Sequence, residues 1–452
     1  AAPINRTETA MNVKTVASGT MIFWAGLTLG LQAQQLPETL ELDQAIEMAL
    51  SSHGDLEAAG AAIEARAGST LQAGALPYPV LNFQTENWRF HGAPAFRPSQ
   101  DLDVFAWVDV PVETAGKRKR RVQLAEADQR VAEFTRQLVA WRIRQRVKRA
   151  YWKALAAVSD VEMLSRSRDT LQRLEEYHEA QVRMGSMAEV DLIKVRVEVG
   201  RAALALSGAE MEVRRGKIAL LEAMGIPEMN TGFEVRQPEA QPVKVAWNED
   251  RVALRAVETA LMHRPESLIG RARVERARAD LALQRSLDRP DLRPFLGYKR
   301  TAGFNTLMGG FSISLPVGGQ NKGGIQEALA EVRGREAAQR AVEARIGAEV
   351  VAAVAKVQRS RELLREMETG MLDRARETYR IANAAYQEGG VELLEVLEAR
   401  RARDEIALFH SRSVFDYQLS WVDLESVTGT SNLPMVREQS QTALARFDAT
   451  VE

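Results

Sequence analysis

The sequence predicts a mainly α-helical chain with a small transmembrane β part. Long antiparallel coiled-coil helices and four strands are set out in two tandem repeats, the strands serving a twelve-stranded barrel shared by three chains. Three observations carry this prediction: an internal duplication, two pairs of alternating strand-like segments, and proline-free stretches too long for an ordinary globule.

The duplication comes first because it sets the period of everything else. Arg183-Met184-Gly185-Ser186 aligns with Gln387-Glu388-Gly389-Gly390, and Gly185 and Gly389 are 204 residues apart. Leu220-Leu221-Glu222-Ala223-Met224-Gly225 aligns with Leu424-Glu425-Ser426-Val427-Thr428-Gly429, again 204 apart at the glycine. Val110-Pro111-Val112 matches Leu315-Pro316-Val317 at a shift of 205, and the helical segment from Leu42 resembles the one from Val252. Four landmarks in one order at nearly one spacing divide the chain into a first repeat over 34–249 and a second over 250–430.

Each repeat has the same grammar. A helix (42–76, then 250–288) runs into prolines, Pro77 and Pro79 or Pro290 and Pro294. Two strands follow, 80–90 with 101–112 and 292–302 with 307–317. Strand character rests on period-two alternation: Leu307, Gly309, Phe311, Ile313, Leu315 and Val317 share one face, and Leu102, Val104, Ala106, Val108 and Val110 another. Ten to twelve tilted residues are enough to cross an outer membrane. Trp88, Trp107 and Tyr298 are expected at strand ends, suiting an interfacial belt.

A very long helix follows each strand pair. Residues 117–183 contain no proline, roughly 100 Å at 1.5 Å per residue. The second runs over about 325–388, with Val342, Ile346, Val350, Ala353, Val357 and Leu364 as its stripe. Gly185 and Gly389 close these helices, and return helices begin at once over 188–224 and 391–428. Val190, Ile193, Val197, Leu204, Met211, Ile218 and Leu221 mark a heptad seam on the first return helix. Helices of this length must lie along other helices. The basic run Lys117–Arg121 is expected to be a solvated helix start near membrane phosphates.

The ends and the composition narrow the compartment. Met11, Lys14 and the apolar stretch Val16–Leu31 before Gln32-Ala33-Gln34 read as a signal peptide over 1–33. Residues 431–452 are expected to be an equatorial or disordered tail. The formal net charge is −1, from 60 Lys+Arg and 61 Asp+Glu, which gives no electrostatic case for nucleic acid. With no cysteine there is neither a disulfide nor a thiolate ligand, nor lipid attachment through Cys. Five scattered histidines form no His-x-x-x-His pair, and no nucleophile elbow or phosphate loop appears. We therefore expect no enzyme, no cofactor and no resident metal. Four strands cannot close a barrel, and open edges are forbidden in lipid, so membrane strands must be shared between chains.

These features together resemble the outer-membrane efflux protein family, the TolC-like ducts of tripartite pumps. The resemblance runs from about Leu42 to Gly429. Val110-Pro111-Val112-Glu113-Thr114-Ala115-Gly116-Lys117-Arg118, and Asn321-Lys322-Gly323-Gly324-Ile325 after Leu315-Pro316-Val317, resemble segments of the heavy-metal-cation (CzcC-like) subgroup. The resemblance implies a homotrimer in outer-membrane lipid, working with a periplasmic adaptor and an inner-membrane RND pump to export heavy-metal cations. A multidrug or organic-solute duct of the same fold and a periplasmic coiled-coil adaptor are the alternatives. It also implies a periplasmic gate at Asp191, Tyr386, Glu395 and Glu398, and adaptor docking at the tips Arg183, Gly185, Ser186, Gly389 and Gly390. A basic residue found in some members two positions after the second tip glycine is Val391 here, which leaves Arg183 or Arg380 as the candidate substitute.

Overall fold

The computed structural model describes residues 36–91, 94–227, 230–237, 249–315 and 321–431. The expected signal peptide, the tail from 432, and Pro316 and Val317 lie outside the described residues.

The element order is strand β1 (Thr39–Leu40), helices α1 (Leu42–Ser52) and α2 (Gly54–Ala73), strand β2 (Val80–Glu86), short helix α3 (Pro98–Asp101) and strand β3 (Asp103–Asp109). The long helix α4 (Lys117–Arg183), its return α5 (Glu189–Met224) and strand β4 (Glu234–Val235) follow. Then come α6 (Glu249–His263), α7 (Pro265–Leu287), β5 (Leu292–Thr301), β6 (Phe304–Ile313), α8 (Lys322–Glu366), α9 (Leu372–Gln387) and α10 (Leu393–Thr428). The 67 residues of α4 match the expected helix end for end.

Three helices depart from expectation. The segment 42–76 breaks at His53, whose extended backbone ends α1 and whose Nδ1 accepts from the Asp55 amide to cap α2. The segment 250–288 breaks at Arg264, because Pro265 lacks the amide a continuing helix needs and disfavours helical backbone before it. The second long rod continues from α8 into α9 through one π-turn, Met367–Met371, which inserts an extra residue into the ladder. Regular periodicity does not register a single inserted residue.

Strands β2-β3-β5-β6 form one antiparallel sheet in that order, so the β3–β5 pairing joins the two halves of the chain. β3 begins at Asp103 because Pro98 nucleates α3 in the preceding loop, and β6 begins at Phe304 because a two-residue turn, Ala302-Gly303, reverses the chain. Both turn residues have positive φ, the backbone that matches strand twist in a tight hairpin.

The register puts opposite residues on a common face. Leu81, Val108, Leu296 and Gly309 lie side by side, as do Phe83, Ala106, Tyr298 and Leu307. This face is apolar and bare: Leu307 is 84% and Leu81 75% exposed. The opposite, more polar face carries Asn82, Gln84, Lys299 and Thr306 among Phe105, Phe295 and Met308, with Asn82 Nδ2 donating to Asp109 at 2.6 Å. Trp107 sits in mid-strand on that polar face against Gly297 rather than at a strand end. Tyr298 is also inside its strand, its hydroxyl donating to Asn305 at 2.6 Å, while Trp88 lies just beyond β2 as expected.

The junction between sheet and helices explains the basic run. Lys117 is buried and donates to Asp291 (2.7 Å) and to the Arg289 carbonyl (2.6 Å). Arg118 donates to the Gly74 carbonyl and Arg121 to the Ala73 carbonyl and to Glu113. These cations meet the carbonyl-rich C-terminal ends of α2 and α7, where the macrodipole favours positive charge. The run starts α4 as expected, and Arg118, Lys119 and Arg120 are exposed, but Lys117 is buried and, with Arg118 and Arg121, clamps the helix start to its neighbours.

The helical core follows the predicted stripe of α8. Ile346, Val350, Ala353 and Val357 are buried against Val252, Ala256 and Ala260 of α6 and Leu424 of α10. The heptad seam of α5 behaves otherwise. Val190, Ile193, Val197, Leu204, Met211 and Ile218 point out of the chain, with Leu204 77% exposed; only Leu221 of the seam is buried within it, beside Leu192, Val195, Leu206 and Leu220. Periodicity marks a seam without saying whose helix fills it. β1 and β4 pair in parallel, and the buried Tyr151 hydroxyl bonds the carbonyls of Leu40, at 2.9 Å, and Arg236 beside them.

Candidate functional site

The two helix–helix tips are built alike. The Gly185 amide bonds the Val182 carbonyl and the Ser186 amide the Gln181 carbonyl; the Gly389 amide bonds Tyr386 and the Gly390 amide bonds Ala385. These pairs of reverse bonds satisfy the last carbonyls of α4 and α9, and they need a residue of positive φ, 72° at Gly185 and 76° at Gly389. Ser186 adds a side-chain bond to the Gln181 carbonyl at 2.9 Å. Arg183 is exposed beside it and donates along its own helix to the Glu179 carbonyl.

Behind the tips the hairpins α4–α5 and α9–α10 pack together through Leu171, Val195, Leu393 and Leu397, with Tyr386 against them. Tyr386 is half-buried, its hydroxyl 3.0 Å from His178 Nε2 and its ring stacked on the imidazole at 6.1 Å with 6° between planes. Burial, then the negative charge of Asp191, then Tyr177 push its phenol upward in pKa, so it stays protonated and able to donate. Asp191 starts α5 and pairs with Lys194 at 3.0 Å. Glu395 and Glu398 are exposed on α10, their carboxylates unpartnered among the described residues. The structure thus brings Asp191 and Tyr386 into one neighbourhood and leaves Glu395 and Glu398 free on the surface. Arg380 pairs with Glu377 on its own helix (2.5 Å), and Arg183 donates to its own helix backbone.

Above the tip a half-open cleft of about 1130 Å³ lies between the hairpins. Its floor holds Arg400, 4% exposed, whose Nη2 donates to the Ser167 carbonyl at 2.6 Å. Burial lowers the pKa of this guanidinium, and Asp404, 3.7 Å from its Nε, opposes that. Asp404 also accepts from Ser167 Oγ at 2.7 Å. Further up, Ser159 meets Ser411 (3.0 Å), Arg412 meets Asp160 (2.9 Å) and Lys148 meets Glu425 (2.5 Å), forming a ladder of polar rungs between α4 and α10. Sequence reasoning missed His178 and Arg400, since both are ordinary residues whose partners lie over two hundred positions away. Among the described residues no three His, Asp or Glu side chains converge as a metal site, and no helix is long and apolar enough to cross a membrane.

With this geometry in place, comparison with known proteins identifies the class. The model of the family "Outer membrane efflux protein" matches residues 45–226 and again 256–430. The cobalt-zinc-cadmium resistance protein CzcC of Cupriavidus metallidurans is 26% identical over 364 residues, covering 80% of this chain and 83% of that one. Among solved structures, CusC superposes with a TM-score of 0.70 at 17% identity, covering 86% of this chain and 92% of that one. The CmeC outer membrane channel of Campylobacter jejuni superposes with a TM-score of 0.69 at 16% identity, covering 90% and 88%. The chain belongs to the outer membrane efflux protein family. It is an outer-membrane efflux channel, a passive conduit rather than an enzyme. Channels of this family are trimers that pair with a periplasmic adaptor and an inner-membrane RND pump.

Proposed function

We propose that this chain is the exit duct for heavy-metal cations in a tripartite efflux system, three copies pooling their strands into a twelve-stranded barrel above a helical tunnel. The observation that carries the reading is the four-stranded sheet: one face apolar and bare, the other mixing polar side chains with aromatic ones, and edges β2 and β6 unpaired among the described residues. In lipid such edges must find partners, and a barrel closed around three sheets supplies them. The outward heptad seam of α5 supports neighbours along the tunnel in the same way. Two tandem copies of one unit give each chain its four strands and two hairpins.

The metal assignment rests on the likeness to CzcC and on the Val110–Arg118 segment, which forms the sheet–helix junction. Selection of the ion belongs to the pump, so the duct needs no tight ligand set. At the tips, Tyr386 and Asp191 act as the periplasmic gate, and Glu395 and Glu398, bare on α10, form three-fold carboxylate rings that attract cations. Arg183, Gly185, Ser186, Gly389 and Gly390 present the surface on which the adaptor docks. Growth of a deletion strain tests the substrate: sensitivity confined to cobalt, zinc, cadmium, copper or silver supports it and names the ion. Sensitivity to dyes, bile salts and antibiotics with normal metal tolerance makes the chain an organic-solute duct instead.

A further inference from the structure

We propose that His178 is the latch of the gate: it holds Tyr386 in the closed position and ties the first hairpin to the second where the two must part. The proposal rests on the reading of the tips as the gate and adds the partner on which the gate tyrosine closes.

His178 is fully buried on α4, two turns before Gly185. Its Nδ1 lies 2.8 Å from the Leu174 carbonyl, which can only accept, so Nδ1 carries the proton. The lone pair of the neutral ring is then at Nε2, which accepts from the Tyr386 hydroxyl at 3.0 Å. The parallel stack fixes the phenol's position as well as its hydrogen bond. Among the described residues this is the last hydrogen bond between the hairpins before the tips.

The next contacts between the hairpins are of a different kind. On the exposed side Arg401 of α10 donates to Glu198 of α5 at 2.9 Å; in the interior, Ser167, eleven residues further up α4 than His178 and roughly 16 Å along the helix, holds Arg400 of α10. Pulling this interior contact apart strands a buried guanidinium together with Asp404, a far greater loss than one neutral hydrogen bond. A tip that opens therefore releases His178 from Tyr386 first and pivots at Arg400.

The test compares purified trimers in planar bilayers: wild type, His178→Phe, Tyr386→Phe, the double variant, and His178→Gln. Phenylalanine at 178 keeps an aromatic ring for stacking but offers no acceptor, and glutamine restores an acceptor. We expect each single Phe variant to raise the open fraction about fivefold per subunit, the loss of one neutral hydrogen bond in each of the three chains. The double variant should open no further than either single one, and His178→Gln should stay near wild type. If His178→Phe fails to form trimers, His178→Asn, too short to reach Tyr386, takes its place with the same expectation. A tight His178→Phe beside a leaky Tyr386→Phe overturns the latch and leaves the gate reading standing. If neither opens, both readings fall. Additive effects in the double variant overturn the link between the two residues.

Discussion

Lys117 and Asp291 meet at 2.7 Å where the first residue of α4 passes the start of β5, pinning the helical rods to the sheet across 174 positions of chain. The ammonium is buried and also bonds the Arg289 carbonyl. Burial alone would raise the Asp291 carboxyl, but the Lys117 hydrogen bond and the Thr114 amide outweigh it and hold its pKa below the usual range.

Lys117→Met should cost about 2 kcal/mol, less than a fully buried pair because Asp291 is 36% exposed. A carboxyl depressed in the folded state stabilises above its unfolded pKa and loses that contribution as pH falls through the folded value. The difference in melting temperature between wild type and variant should therefore be full at pH 7 and shrink below about pH 4.

The Tyr151 hydroxyl bonds two carbonyls, and burial, then Glu41, push its pKa up to about 12. Tyr151→Phe should destabilise by about 2 kcal/mol, since buried acceptors lose their donor. A raised pKa keeps its stabilisation below the unfolded value and loses it above, so the wild type should weaken between about pH 10 and 12. Absorbance of tyrosinate followed alongside unfolding checks this, and the Phe variant should lack that step.

Gly429 ends α10 at a φ of 74°, and a Cβ there would lie 2.7 Å from the Arg264 Cα, at the break between α6 and α7. Gly429→Ala combines a left-handed alanine with a backbone clash and should lower stability by about 3 kcal/mol. Gly185→Ala, open on all sides, should cost about 1 kcal/mol. Thermal melts of the two variants separate close approach from conformation.

An arginine at Leu307 would sit on the bare apolar face. Leu307→Arg should cost about 2–4 kcal/mol in the bilayer and reduce heat-resistant trimers in outer-membrane fractions. Asn82→Arg, on the polar face, should leave them near wild type. If the two substitutions behave alike, the assignment of the faces is wrong.

Leu204→Glu puts a carboxylate in the outward seam of α5. Helix content should stay unchanged by circular dichroism while crosslinked trimer falls several-fold. A loss of helix content with the trimer would place Leu204 within the chain's own core.

Much of this fold was legible in the sequence. Proline-free length and terminal glycines delimited α4, α5 and both tips, because helix ends are written in local chemistry. Alternation located β5 to within one residue and β6 to within four. What stayed hidden depended on contacts distant in sequence. Within the solvated run at the start of α4, the burial of Lys117 and the bonds of Arg118 and Arg121 went unseen because their carbonyl partners lie at the ends of α2 and α7. The π-turn at Met367–Met371 adds a residue without disturbing composition. At the site, Tyr386 and Asp191 came from likeness to a family, whereas His178 carried no local mark, its partner lying 208 positions away.

The pairing of β3 with β5 also governs when the sheet can exist. The hairpin β5–β6 is contiguous, but β3 has no partner on its inner edge until the chain has been made as far as Thr301, and in the proposed barrel the outer edges of β2 and β6 pair only when other chains arrive. A lone, finished chain thus has no acceptable state inside the bilayer. Insertion and trimerisation become one event, and at low expression the amount of working channel should rise as the cube of free-chain concentration. Modest changes in synthesis would then act as a steep switch on export capacity.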